Sequence, residues 1–150
     1  MKQSAIISLV LFSLLLITDA ESNVKTLTSK HRLNKRSPLD SGNTPAIMTL
    51  NSFEKGGDGG GPSECDGEYH SDNYLIVALS SKWYNNGQRC FDYINIYYNG
   101  NGVRATVVDE CDSINGGCGD NIVDASYAVW VALQVPRSEW GEAHVTWSDA

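Results

Sequence analysis

Hydrophobic and polar residues alternate in short runs along most of this chain, with glycine and asparagine between the runs. Ala46–Phe53 sets Met48, Leu50 and Ser52 against Ile47, Thr49 and Asn51, the period of two expected of a strand. Leu75–Leu79 (LIVAL) is a short, continuous apolar run that fits a buried strand. Phe91–Tyr98 (FDYINIYY) is aromatic and β-branched. Asn99–Gly102 then makes a hairpin loop, and Val103–Val108 is the return strand. Glu142–Trp147 points Ala143, Val145 and Trp147 one way, with His144 and Thr146 opposite. A helical period occurs in one place: Ala125, Ala128/Val129 and Ala132/Leu133 form a stripe over Ala125–Leu133. Asp124 stands at the N-cap position of that helix, and Pro136 ends the run. Several short strands with one small helix predict a small, mainly β barrel.

The interruptions carry information too. Gly56–Pro62 (GGDGGGP) is too glycine-rich for helix or strand and reads as a flexible surface loop. It lacks the Gly-Lys-Ser/Thr ending of a phosphate cradle, and Asp58 would repel an anion. Asn85-Asn86-Gly87 signals a turn, and Asp109–Asp120 reads as a polar loop.

The first 45 residues differ in kind. Ala5–Ile17 is apolar, follows Lys2, and is followed by small residues around Ala20. It is shorter than the roughly 20 apolar residues of a membrane span. Residues 1–20 therefore read as a secretory signal peptide, and the mature product as a soluble extracellular protein and a monomer. Residues 21–45 hold five bases against two acids, with no hydrophobic period, and read as a basic disordered arm or propeptide. Lys35-Arg36 is a dibasic site within it. Residues 46–150 hold five bases against fifteen acids. A net charge of −7 over the whole chain argues against a nucleic-acid surface, which needs clustered Lys and Arg.

An oxidising compartment makes disulfides the natural reading of Cys65, Cys90, Cys111 and Cys118. The spacings do not match the close pairs of zinc sites. Of the three pairings, Cys65–Cys90 with Cys111–Cys118 closes two local loops and is the one expected. His70 and His144 lack a spaced third ligand, so neither a metal nor another cofactor is expected.

Several longer motifs occur together. Phe53–Gly67 (FEKGGDGGGPSECDG), Tyr69–Asp72 (YHSD), Val108–Ser113 (VDECDS), Asn121–Ser126 (NIVDAS), Ala128–Trp130 (AVW) and Val145–Ala150 (VTWSDA) all resemble the kiwellin family of plant ripening-related proteins. The resemblance covers about Pro45–Ala150. It implies a six-stranded double-psi β-barrel with one or two short helices, like barwin and the first domain of expansins. The expansin-like layout from Cys65 to Cys90 supports the pairing of those two cysteines. Two features depart from the family: the basic arm replaces a cysteine-rich N-terminal module, and the loop after Cys111 is shortened.

The resemblance also frames the function. Some barrel relatives with lytic activity place an acid where Asp124 falls, with Asp109 the candidate for a second carboxylate. The His of the expansin-like His-Phe-Asp triplet is absent, its place taken by Ile122. A non-enzymatic binding protein of the plant apoplast, active in defence or ripening, is the expectation. Its partner would be a secreted protein, such as a pathogen enzyme, held in the barrel groove. The candidate rim residues are His70, Asp72, Trp83, Tyr84, Asp109, Glu110, Asp112 and Asp124, with Tyr74 a further aromatic anchor. A cell-wall glycan is the alternative ligand.

Overall fold

The computed structural model describes residues Thr44–Ala150. The expected signal peptide and basic arm lie outside these residues, except Thr44 and Pro45, which open the first strand. The elements are β1 (Thr44–Leu50), β2 (Ile76–Ser80), α1 (Ser81–Tyr84), β3 (Tyr93–Tyr98), β4 (Asn101–Cys111), β5 (Ile122–Ala125), α2 (Tyr127–Ala132), a short 3-10 turn (Arg137–Glu139) and β6 (Glu142–Asp149). The six strands close into a barrel in the order β1-β5-β2-β4-β3-β6. Two of the six pairings are parallel, β1 with β5 and β2 with β4, and the other four are antiparallel.

Strand alternation fills the interior. Met48, Val77, Leu79, Ile94, Ile96, Val107 and Val123 are completely buried. The next residue along each strand points outward, as a pleated sheet requires. Trp130 of α2 plugs the barrel with no exposure, and its indole Nε1 donates to Thr49 O at 3.3 Å. Burial of these side chains outside water is the main stabilising term.

The β3–β4 hairpin turns on two residues, because Tyr98 pairs with Asn101. Asn99 and Gly100 both take positive φ, 45° and 83°. That is the combination an Asn-Gly hairpin turn needs. β4 then runs past Val108 to Cys111, so Asp109, Glu110 and Cys111 lie in the ladder against Ala78, Leu79 and Ser80. The expected polar loop is confined to the residues after Cys111.

The helical stripe misled at one end. Ile122–Ala125 is a strand hydrogen-bonded between β1 and β2, and Asp124 is inside it. The helix begins only at Tyr127, and Ser126, not Asp124, holds the N-cap position. Ladder bonds on both sides outweigh the weak preference of four residues for helix. β1 likewise ends at Leu50, short of the expected Phe53, although Asn51 N–H still donates to Ala125 O at 3.0 Å.

Both expected disulfides form, Cys65–Cys90 and Cys111–Cys118, with Cα separations of 5.5 and 5.6 Å. The first packs on the barrel core beside buried Tyr84. The second closes the short loop at the end of β4. Ser81 and Ser113 pin that loop to α1 through reciprocal hydrogen bonds of 3.2 and 3.0 Å.

Candidate functional site: a carboxylate groove on the barrel wall

Four neighbouring strands place one residue each in a row across the outside of the barrel. Thr49 pairs with Asp124, Asp124 with Ala78, and Ala78 with Asp109. Directly paired residues project from the same face, so two carboxylates flank a small alanine. Their Cα atoms are two strand spacings apart, about 10 Å.

A groove of about 350 Å³ lies over the Thr49–Asp124 end of this row. Its floor is Thr49, Asn51, Ile122 and Asp124, and one wall is the disulfide loop from Cys111 to Gly119. Asp58 forms the other wall. Thr49 Oγ1 donates to Asp124 Oδ1 at 2.7 Å, which fixes the carboxylate's rotamer. Burial pushes the Asp124 carboxyl above the ordinary carboxylate range, against the Thr49 hydrogen bond. The charges of Asp58 and Asp109 push it the same way as burial.

Asp58 arrives here because the glycine-rich segment is folded down and packed. Its Oδ1 accepts from Ser52 N–H at 2.9 Å, and Gly59 N–H donates to Ser52 O. A Cβ on Gly59 would sit 2.3 Å from Ser52 O and 2.8 Å from Asn51 Oδ1, so only glycine allows this approach. The segment is an exposed surface loop, as expected, and its bonds to Ser52 tie Asp58 to the groove. A lone charged residue among five glycines was the signal that could have marked Asp58.

The residues named from sequence divide sharply. Asp124 is in the groove. Asp109 lies further along the same row, half-buried, where its Oδ1 accepts from both Glu64 and Glu110 N–H at 2.8 Å. It clamps the segment before Cys65 to β4. Burial raises its carboxyl, opposed by those two amides and reinforced by the charges of Glu64 and Glu110. Glu110 pairs with Leu79 beside it. Asp112 begins the disulfide loop and accepts from Ile114 N–H, Asn115 N–H and the Asn115 amide. These bonds, the Asn115 amide first, hold its carboxyl below the usual range.

Of these eight residues only Asp124 lines the groove, and His70, Asp72, Trp83 and Tyr84 have other roles. Asp72 is a strut: its carboxylate accepts from Phe53 N–H at 2.8 Å and its carbonyl from Ala128 N–H. His70 faces Asp66 at 3.2 Å. Trp83 is half-buried and packs edge-on against Trp147, with ring centroids 5.1 Å apart. Tyr84 is 5 % exposed. It is a core residue, and the expectation of an accessible anchor is corrected there. Its phenol lies 3.4 Å from Cys90 Sγ, and burial first, then the acidic neighbours, raises its pKa. Both aromatics sit on α1, whose apolar side the core requires. Tyr74 is exposed, at 62 %, but also lies outside the groove. Thr49, Asn51 and Asp58 are the groove residues that sequence reasoning missed.

No lysine, arginine or aromatic residue lines the groove. Among the described residues, no group of three or more His, Cys, Asp or Glu is placed to hold a metal ion. None of the described helices is long and apolar enough to cross a membrane. The arrangement can accept hydrogen bonds and positive charge, and it offers no ring for stacking.

Comparison with known proteins places the barrel. The family model for Kiwellin-1 matches residues 17–150. The chain is 53 % identical over 123 residues to putative ripening-related protein 2 of Oryza sativa subsp. japonica, covering 76 % of this chain and 64 % of that protein. It is 59 % identical over 109 residues to putative ripening-related protein 6 of the same plant, covering 71 % and 65 %. Kiwellin of Actinidia chinensis var. chinensis is 51 % identical over 124 residues, covering 76 % and 58 %. The chain thus spans somewhat under two thirds of the length of these three relatives. Among solved structures, the apo expansin of Clavibacter michiganensis superposes with a TM-score of 0.56 at 21 % identity, covering 71 % of this chain and 50 % of that one. The Streptomyces papain inhibitor gives 0.53 at 22 %, covering 71 % and 94 %. The fold is the double-psi β-barrel, and the chain belongs to the kiwellin family of ripening-related proteins.

Proposed function

We propose that this chain is a secreted binding protein of the plant apoplast that uses its barrel groove to hold, and thereby inhibit, a basic protein secreted by a pathogen. The observation that carries this reading is the groove itself: Asp58 and Asp124 face it, no base neutralises them there, and the surrounding barrel is strongly acidic. Such a surface steers a basic partner and raises its rate of encounter. The same fold serves a protein inhibitor in the Streptomyces papain inhibitor.

Binding, not hydrolysis, is the role assigned. Glycoside cleavage by the usual route needs two carboxyls free to act on one bond. Asp124 has the raised pKa of an acid, but Asp109 has one oxygen clamped by two amides. A cell-wall glycan is the second reading, because an expansin of this fold was crystallised with cellohexaose. Sugar rings usually stack on aromatic faces, and the groove lining supplies none.

The test is a capture experiment with the disulfide-intact secreted protein, using fluid from infected and uninfected leaves. A stoichiometric basic protein, bound more slowly at high salt and lost with Asp58→Asn/Asp124→Asn, is the expected result. No protein partner from either fluid, with retention on a polysaccharide array, would replace this reading by the glycan one.

A further inference from the structure

The groove contains acceptors that the fold leaves unused. Asp124 spends Oδ1 on the Thr49 hydroxyl and Asp58 spends Oδ1 on Ser52 N–H. Among the described residues, the second oxygen of each carboxylate takes no hydrogen bond. Asn51, only 9 % exposed, lines the same groove. Its backbone N–H is satisfied by Ala125 O at 3.0 Å. Its side-chain amide, under Gly59, makes no hydrogen bond among the described residues. Trp147 Nε1 is the one unpaired side-chain polar atom there that is wholly shut from solvent, so the Asn51 amide retains an opening, and the groove is where it opens. Open to the groove and without a protein partner among the described residues, this amide can bond a ligand there.

We infer that the groove seats one arginine side chain of the partner between Asp58 and Asp124, with the Asn51 amide oxygen as a third acceptor. This rests on the protein-binding reading above and names what the partner inserts. A guanidinium is planar and carries five donors, of which three can meet the free oxygens of the two carboxylates and the amide while the rest stay open to water. It is also less strongly hydrated than an ammonium, so entering a half-buried groove costs it less. A calcium ion would need six to eight oxygen ligands, and two carboxylates beside one amide fall short. The groove's volume, about 350 Å³, admits one such side chain. The close approach at Gly59 and the Cys111–Cys118 bridge tie down the two segments that line the groove on either side. Burial is the main cause that holds the Asp124 carboxyl up; the charges of Asp58 and Asp109, which add to it, are what an inserted cation would offset.

The test is an NMR titration of the 15N-labelled, disulfide-intact chain with blocked Gly-Arg-Gly and with its citrulline counterpart, the neutral isostere. The arginine peptide is expected to shift the amide signals of Thr49, Asn51, Asp58 and Asp124, and to bind at least about tenfold more tightly than the citrulline peptide. Asp58→Asn, which keeps the oxygen facing Ser52, should lose most of that preference. Asp149→Asn, at the ion pair with Arg89, should leave it unchanged. Equal binding of the two peptides, or full binding to the Asp58→Asn chain, would overturn the inference. So would cellohexaose shifting these signals while the arginine peptide is silent. A captured partner that is indifferent to Asp58→Asn would refute the arginine seat alone. Arginine-peptide binding with no protein captured would refute the protein-partner reading alone.

Discussion

The same four strands present two surfaces that obey different rules. Facing inward, Met48, Val123, Leu79 and Val107 are sealed from water and exchange dispersion contacts. Facing outward, Thr49, Asp124 and Asp109 keep polar groups at partial burial around buried Ala78, and the register shift between β2 and β4 brings Asp109 to this face. The inner row is a stability device, and its requirements are shape and volume. The outer row costs stability, because two carboxyls are held in surroundings that disfavour their charge. Asp109 offsets that cost with two amides of its own chain, whereas Asp124 has only the Thr49 hydroxyl.

The largest expected difference between the two faces follows from truncation of the inner one. Leu79→Ala should cost about 2–5 kcal/mol in urea unfolding, since it removes a fully enclosed side chain and leaves a cavity. The two disulfides should differ in the same sense. Replacing Cys65 and Cys90 by Ser should cost about 2–4 kcal/mol, because this bridge closes the longer loop and packs on the core. Replacing Cys111 and Cys118 should cost less, closing only a separation of 7, yet should change binding more, since it frees a groove wall.

On the outer face, Gly59→Ala drives a methyl against Ser52 O and should cost about 1–3 kcal/mol while displacing Asp58. Partner binding would fall more than the melting temperature suggests. The smallest effect is expected of Asp124→Asn, and its sign is the reverse. The native carboxyl is raised, so its stabilising contribution is full when protonated and is lost as pH rises through the native value. The asparagine variant lacks that loss. It should be at least as stable as the parent at neutral pH, and its advantage should shrink on acidification into the ordinary carboxylate range. Thermal melts across that range give the comparison.

The inner face was legible in the sequence because alternation reports it directly. Ile94 and Ile96, or Val145 and Trp147, declare their side by period alone. β5 was hidden because four residues cannot display a period, and Ala125 also fits the stripe of α2. With β5 unseen, Asp124 passed for a helix cap and not for a strand residue facing outward. Asp72 and Asp109 were legible as acids near a rim. Their clamping of Phe53, Glu64 and Glu110 N–H is a long-range matter, set by chain crossings that no local pattern records. Tyr84 was misplaced because adjacent Trp83 and Tyr84 give no sign of which side the short α1 buries. Cysteine spacing, in contrast, sufficed for both bridges, since short loops close most readily.

The central claim is that the outer face of β1 and β5 is where this protein meets its partner. Hydrogen–deuterium exchange on the captured complex tests it most directly. Slowed exchange is expected over residues 49–61 and 117–124, with the inner strands already slow in the free protein and unchanged. Protection confined instead to the Phe91–Tyr93 and Asp149 end of the barrel, with the groove amides exchanging as before, would contradict it.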